Sequence, residues 1–309
     1  MLHDAKILVT GPAGQIASHL CARLAPHNEV WGIARFSEQG SRERVEAMGV
    51  TTRVVDLASG DFGDLPTDFT HVLHLAAFQL EGLDYDYALS VNAEGTGLLM
   101  QHCRSARAVL QTSTVAIYAN DPDVNHRYAE TDPLGDSRQP YSPTYGISKI
   151  AEEAVTRTMA RALGVPTTIA RINVAYGDGG RGGLPLMHYE MMAGGMAVPL
   201  TIEAPNPFNP IHVDDMADHI GPLCEAASVP ATIVNWGGDD EVAVEEWCRH
   251  LADLAGVEAR FEYHPEGIYP RAMDNTRRIE LIGGCTVPWR EGMARMLADH
   301  HPELGISIP

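Results

Sequence analysis

Positive charge is the scarcest commodity in this chain: 22 lysines and arginines stand against 41 aspartates and glutamates, a formal net charge of −19. A surface that acidic repels phosphate backbones and anionic headgroups, so neither nucleic acid nor a membrane is expected as a partner. Cysteine is sparse too. Cys21, Cys103, Cys224, Cys248 and Cys285 are scattered, and none belongs to a Cys-x-x-Cys pair. That pattern offers no zinc ribbon and no disulfide framework, and suits reduced, mostly buried thiols. No apolar run approaches the ~20 residues of a membrane span. The stretch from Met1 to Lys6 has no signal-peptide shape. A soluble, cytoplasmic protein is the expectation. Internal repeats and low-complexity segments are also missing, whereas a hydrophobic content of 45% supports a sizeable core.

What the chain does contain is alternation. Apolar runs bounded by turn residues predict strands at 5–10, 29–34, 52–56, 71–76, 108–112 and 167–171. Between them, amphipathic patterns predict helices at 15–24, 41–48, 86–106 and 143–163. Strands alternating with helices specify a parallel sheet covered on both faces. The expected fold is therefore α/β, with a doubly wound, Rossmann-type parallel sheet in residues 1–175, to which 208–238 returns. After Tyr176 the rhythm breaks into a flexible glycine-rich loop, 177–183, and a proline-rich stretch, 205–210. Helical patterns resume at 214–227, 242–255 and 289–299. Residues 176–207 and 239–309 read as a smaller C-terminal substrate lobe over the carboxyl edge of the sheet, where ligands of such folds bind.

Tyr145-Gly146-Ile147-Ser148-Lys149 is the stretch with the clearest chemistry. On a helix, residues four apart share a face, so phenol and ammonium act on one small volume. A phenol is a weak base at neutral pH, and a fixed cation beside it favours phenolate. The pair is a candidate proton shuttle for an alcohol becoming a carbonyl, or the reverse. Tyr141, with Tyr145 as its i+4 neighbour and Pro143 between, is not the start of such a pair. Upstream, Gly11-Pro12-Ala13-Gly14 lies between the first predicted strand and helix, where free N–H groups can meet a pyrophosphate. Alone it is equally a plain turn. Arg35, with Ser37 near it, ends the second strand where an NAD site would place an acid. A guanidinium and a hydroxyl suit the 2′-phosphate of NADP, while a solvated surface arginine is the plainer alternative. Asp56 either touches the adenine or caps a turn.

The series Gly11-x-x-Gly14-x-x-Ala17, His74-Leu75-Ala76-Ala77, Asn92, Thr112-Ser113-Thr114, Tyr145-x-x-x-Lys149 and Arg171 to Gly177 resembles the extended short-chain dehydrogenase/reductases, the NAD-dependent epimerase/dehydratase family. The resemblance continues through Ile211 to Asp215 and Asp274 to Arg278, and runs from Lys6 to the C-terminus. It implies that Tyr145 is the acid/base, that Lys149 holds the nicotinamide ribose and lowers the phenol pKa, and that Thr114 hydrogen-bonds the substrate oxygen. Ser113 is the neighbouring candidate, but strand alternation turns it to the other face. Further cofactor contacts are implied at Gly11, Gly14, Gln15, Ile16, Arg35, Ser37, Asp56 and Leu57. Leu75, Ala76, Ala77, Asn92, Thr112 and Ile172 complete that set. Phe78 and Asn173 are implied on the substrate side, the first in a loop, 78–83, that is lid, pocket wall or core. For Asn173 a loop hydrogen bond is the competing role. A homodimer through the helices at 86–106 and 143–163 is also implied.

Departures from the family pattern narrow the chemistry. Where 4,6-dehydratases have an Asp-Glu pair after the catalytic Thr, this chain has Val115 and Ala116, which excludes that elimination. Where UDP-sugar epimerases have a diphosphate-gripping Arg, it has Phe208-Asn209-Pro210. A second family Arg is absent near His264-Pro265-Glu266, with Arg271 a candidate substitute. No metal is expected, since His212 and Asp214 lack a third ligand; Asp214 reads as a helix cap. Trp236 and Trp247 read as packing. The expectation is an NADP-preferring oxidoreductase, NAD being the other possibility, that moves hydride between the nicotinamide and an alcohol or ketone carbon of a small molecule. A sugar-nucleotide 4-epimerase on tightly bound NAD is the alternative, and a non-catalytic cofactor-binding protein a remoter one.

Overall fold

Runs such as Ile7-Leu8-Val9 and Val109-Leu110 are buried on both sides, and this is what makes them parallel strands rather than half-solvated ones. A computed structural model describes residues 1–79, 81–135, 142–203, 205–264 and 267–308. Leu80, Tyr141, Pro265 and Glu266, which figure in the sequence reading, lie outside them. The strands β1 (Lys6–Thr10), β2 (Glu29–Ala34), β3 (Thr51–Val54), β4 (His71–His74), β5 (Ala108–Thr114) and β6 (Thr167–Ile172) form one sheet with Thr232–Trp236. Their order is Thr232–Trp236, β6, β5, β4, β1, β2, β3. Every pairing is parallel. Chain direction across the sheet reverses between β1 and β4, which opens a crevice at their carboxyl ends.

Helices α1 (Gln15–Leu24), α2 (Ser41–Glu46), α3 (Tyr85–Leu89), α4 (Gly95–His102) and α5 (Tyr145–Leu163) connect these strands. The single helix expected at 86–106 is instead α3 and α4 joined by a π-helical turn, Ser90–Glu94. Two contacts accompany the widened turn. The Asn92 side chain turns inward onto Phe78 and Ser148, and Gly95 lies so close to Leu57 that a Cβ would sit 2.9 Å from the Leu57 carbonyl oxygen. α5 carries an inward polar face, Ser148, Lys149, Glu152, Glu153 and Thr156, all buried. Apolar periodicity alone does not reveal such a face.

The C-terminal part builds a second core, with Tyr189, Phe208, Trp247, Cys248, Met293 and Leu297 among its members. A helix at Leu184–Ala193 follows the glycine-rich loop, a stretch whose residues show no clear helical periodicity. The proline-rich stretch forms two short strands, Pro207–Phe208 pairing antiparallel with Val242–Ala243, and Pro210–His212 pairing parallel with Val174–Tyr176. One expectation is corrected here. His212, not Asp214, caps helix Val213–Glu225: its ring Nδ1 accepts the Asp214 N–H at 3.1 Å. Asp214 is drawn away by Arg295 at 2.7 Å and His19 at 3.0 Å. Trp236 and Trp247 are fully buried, each donating its indole N–H to a histidine, His219 and His188. Among the described residues no helix is long and apolar enough to cross a membrane.

Candidate active site

The turn after β1 shows why glycine is needed. Gly11 has φ +65°, and a Cβ there would lie 3.2 Å from the Ala76 Cα. Gly14 donates its N–H to the Gly11 carbonyl at 2.8 Å, and it precedes α1 without any side-chain cap. The first N–H groups of α1 are therefore available to an anion. From this turn a cleft of about 290 Å³ runs past Leu75, Ala77, Ile172 and Asn173 to Thr114, Tyr145 and Lys149. The cleft thus has a glycine turn with uncapped helix N–H groups at one end and a phenol–ammonium pair at the other.

At the far end of the cleft, Thr114 closes β5 and Tyr145 opens α5. The Thr114 hydroxyl accepts the Ala116 N–H at 3.1 Å and faces the Tyr145 phenol. Since the Ala116 N–H occupies its acceptor side, the Thr114 proton is free to point at the phenol oxygen, or at an oxygen placed between them. Burial pushes the Tyr145 phenol above its ordinary pKa, and the Lys149 charge and the Thr114 hydrogen bond oppose that shift. Lys149, buried, donates to the Thr112 carbonyl at 2.7 Å and lies 2.5 Å from Glu152. Beneath them, Thr10 and Thr96 hold the His74 ring from both sides, at 2.8 and 2.7 Å. Burial lowers the His74 pKa to about 3, so the ring is neutral.

Gly11, Gly14, Gln15, Ile16, Leu75, Ala77, Thr112, Thr114, Tyr145, Lys149, Ile172 and Asn173 all line this cleft. Other expected contacts lie elsewhere. Arg35 and Ser37 are exposed beyond the end of β2, with Arg35 donating to the Tyr87 hydroxyl at 2.8 Å. Asp56 caps the turn that follows it by accepting the Ala58 N–H, and Leu57 is buried against Gly95. Ala76 backs the glycine turn. Asn92 bonds both backbone groups of Phe78 and the Ser148 hydroxyl, which fixes the start of the loop carrying Phe78. Asn173 spends its amide on the Arg271 carbonyl and the Asn209 N–H. The cleft also includes Ala17, Gln79, Ala175 and Ser113, the last despite strand alternation, because β5 ends at the cleft mouth. Among the described residues no group of three or more His, Cys, Asp or Glu is arranged to hold a metal ion.

A family model for the NAD dependent epimerase/dehydratase family matches residues 7–237. The chain belongs to that family. Among curated members, UDP-glucuronate 4-epimerase 1 of Arabidopsis thaliana is 29% identical over 194 residues, covering 57% of this chain and 43% of the relative. This chain thus spans less than half the length of that relative. An uncharacterized UDP-glucose epimerase of Bacillus subtilis is 24% identical over 277 residues, 84% of each chain. In structure, UDP-glucuronic acid 4-epimerase from Bacillus cereus, in complex with UDP-glucuronic acid and NAD, superposes with TM-score 0.81 at 20% identity, covering 96% of this chain and 99% of that one. UDP-glucose 4-epimerase from Thermus thermophilus, in complex with NAD, gives 0.77 at 24% identity, covering 96% and 98%.

Within the NAD dependent epimerase/dehydratase family, this member's departures now have a structural form. Val115 and Ala116 are buried apolar residues in the turn after Thr114 and supply no acid or base. Phe208, in the stretch expected to differ from the UDP-sugar epimerases, is a core side chain, buried with its ring 6.0 Å from that of Trp247. Asn209 is fixed through Gly238, Asp240 and Met273. Arg271 is buried, donates to the Tyr269 carbonyl and to Asn120, and is not among the residues lining the cleft.

Proposed function

We propose that this protein transfers hydride between a nicotinamide dinucleotide and a carbinol or ketone carbon, with Tyr145 exchanging the proton on the oxygen. The observation that carries the reading is the meeting of Thr114, Tyr145 and Lys149 at one end of a cleft whose other end is the Gly11–Gly14 turn. The bound dinucleotide supplies the hydride-accepting or hydride-donating carbon. Tyr145 takes the hydroxyl proton in the oxidising direction and returns it in the reducing one. Thr114, fixed by the Ala116 N–H, donates to the same oxygen and holds it beside the phenol. Lys149 orients the ribose and favours the phenolate. Val115 and Ala116, both apolar, supply no acid or base for elimination.

A sugar-nucleotide 4-epimerase, in which the same hydride leaves and returns on one dinucleotide, is the second reading. It is favoured by the UDP-sugar epimerases among the relatives. The buried Phe208 weighs against a diphosphate held in the usual way. NAD is favoured by the same relatives, whereas Arg35 with Ser37 keeps NADP as the other arm. Purification followed by denaturation separates these cases. An epimerase releases stoichiometric NAD and interconverts UDP-hexoses without consuming added coenzyme. A dehydrogenase consumes added NAD or NADP in step with product, and calorimetric titration of the two coenzymes then reads the role of Arg35.

We further infer a homodimer through α4 and α5. Leu98 on α4 is 45% exposed and Ile147 on α5 is 48% exposed, and large apolar side chains left open on adjacent helices suit a partner copy. Light scattering should report a dimer, and the pair of changes Leu98→Glu and Ile147→Glu should give a monomer. A clean wild-type monomer at micromolar concentration would count against it.

A further inference from the structure

We propose that Glu152 is a positioning residue that anchors Lys149 from behind and sets how much of the lysine's charge reaches the Tyr145 phenol. The role rests on reading Tyr145 as the acid/base. Glu152 lies one helical turn beyond Lys149 on the inward face of α5, and both side chains are buried. Their charged atoms are 2.5 Å apart. The other Glu152 oxygen accepts from the Gln111 side-chain N–H at 2.7 Å, and Gln111 also donates to the Thr112 carbonyl at 2.6 Å. That carbonyl is the one Lys149 holds at 2.7 Å. Lys149, Thr112, Gln111 and Glu152 thus close a ring. It fixes the ammonium through two contacts and leaves a further N–H for the cleft.

The charges around this ring are balanced. His74 approaches Glu152 at 3.6 Å but is neutral. Glu153, the adjacent acid, is matched by Arg171 at 3.0 and 2.8 Å. Lys149 is therefore the cation that an ionised Glu152 offsets, and Tyr145 feels the two with opposite sign: Lys149 lowers its pKa and Glu152 raises it. Burial lifts the Glu152 carboxyl from 4.5 to about 7, against the pull of Lys149 and Gln111. As pH rises through that value, Glu152 ionises and shields the lysine. Below it, the full ammonium charge acts on the phenol.

The tyrosinate absorbance of the cofactor-free protein, minus that of the Tyr145→Phe variant, isolates the titration of Tyr145 and needs neither substrate nor coenzyme. The Tyr145 midpoint should fall by about one unit or more in Glu152→Gln. An unmoved midpoint overturns the proposal, including when the melting temperature drops, since a purely structural partner would do only that. Should Glu152→Gln fail to fold, the wild-type protein with carbon-13 in its tyrosine rings replaces it. The Tyr145 ring signal should then shift as pH passes about 7, where Glu152 ionises, and a flat signal overturns the proposal. Absence of hydride transfer on every substrate tried would sink the oxidoreductase reading and leave this titration standing.

Discussion

Tyr145→Phe is expected to slow turnover roughly 10²–10⁴-fold, the range that a positioned acid or base contributes. The phenyl ring keeps the shape of the cleft and loses the hydroxyl that faces Thr114. Coenzyme binding should be nearly unchanged, because the glycine turn and Lys149 remain, so the loss belongs in kcat and not in coenzyme affinity. The pH profile follows from the direction of the phenol shift. Burial holds Tyr145 above its ordinary pKa, so alcohol oxidation should climb with pH as the phenolate fraction grows, and Tyr145→Phe should flatten the climb. Unchanged turnover by Tyr145→Phe on a verified substrate would reassign the acid/base.

The second large effect concerns stability. Arg171 on β6 forks onto the Glu153 carboxylate of α5 at 3.0 and 2.8 Å, and donates to the Tyr118 hydroxyl and the Glu130 carbonyl at 2.9 Å each. Arg171→Met leaves the Glu153 carboxylate buried without its partner, a change that costs about 3–5 kcal/mol. Urea unfolding should show that loss. Removing both charges, with Arg171→Met and Glu153→Leu together, should recover much of it, because the penalty comes chiefly from the orphaned charge. A single-variant loss below about 1 kcal/mol would mean that water or another group solvates Glu153.

Much of this architecture is legible in the chain. The β1–α1 unit and its glycine turn follow from an apolar run, Gly11 directly after it, Gly14 three residues further on, and a periodic helix, all local signals. The Tyr145 and Lys149 pair is legible because a helix fixes its own i,i+4 geometry. The π-turn at Ser90–Glu94 is not, because the contacts that hold it, Asn92 on Phe78 and Ser148, join residues 14 and 56 positions apart. The capping of Val213–Glu225 by His212 was hidden for a similar reason. Asp214 is the better cap by residue type, but Arg295, distant in sequence, claims its carboxylate. The ring around Lys149 escaped for a third reason. Gln111 sits in a strand that reads as apolar, and Glu152 in a helix that reads as amphipathic, so each looks ordinary until β5 and α5 are packed together.

The reading of this cleft as a hydride-transfer site is tested most directly by nicotinamide absorbance. Purified protein, with NAD or NADP supplied in turn, is presented with secondary alcohols, ketones and UDP-hexoses. Reduced nicotinamide should appear or disappear with at least one class, transiently and on bound coenzyme if the reaction is an epimerisation, and Tyr145→Phe should silence the change. Failure of both coenzymes to bind, or an equal change in Tyr145→Phe, would contradict it.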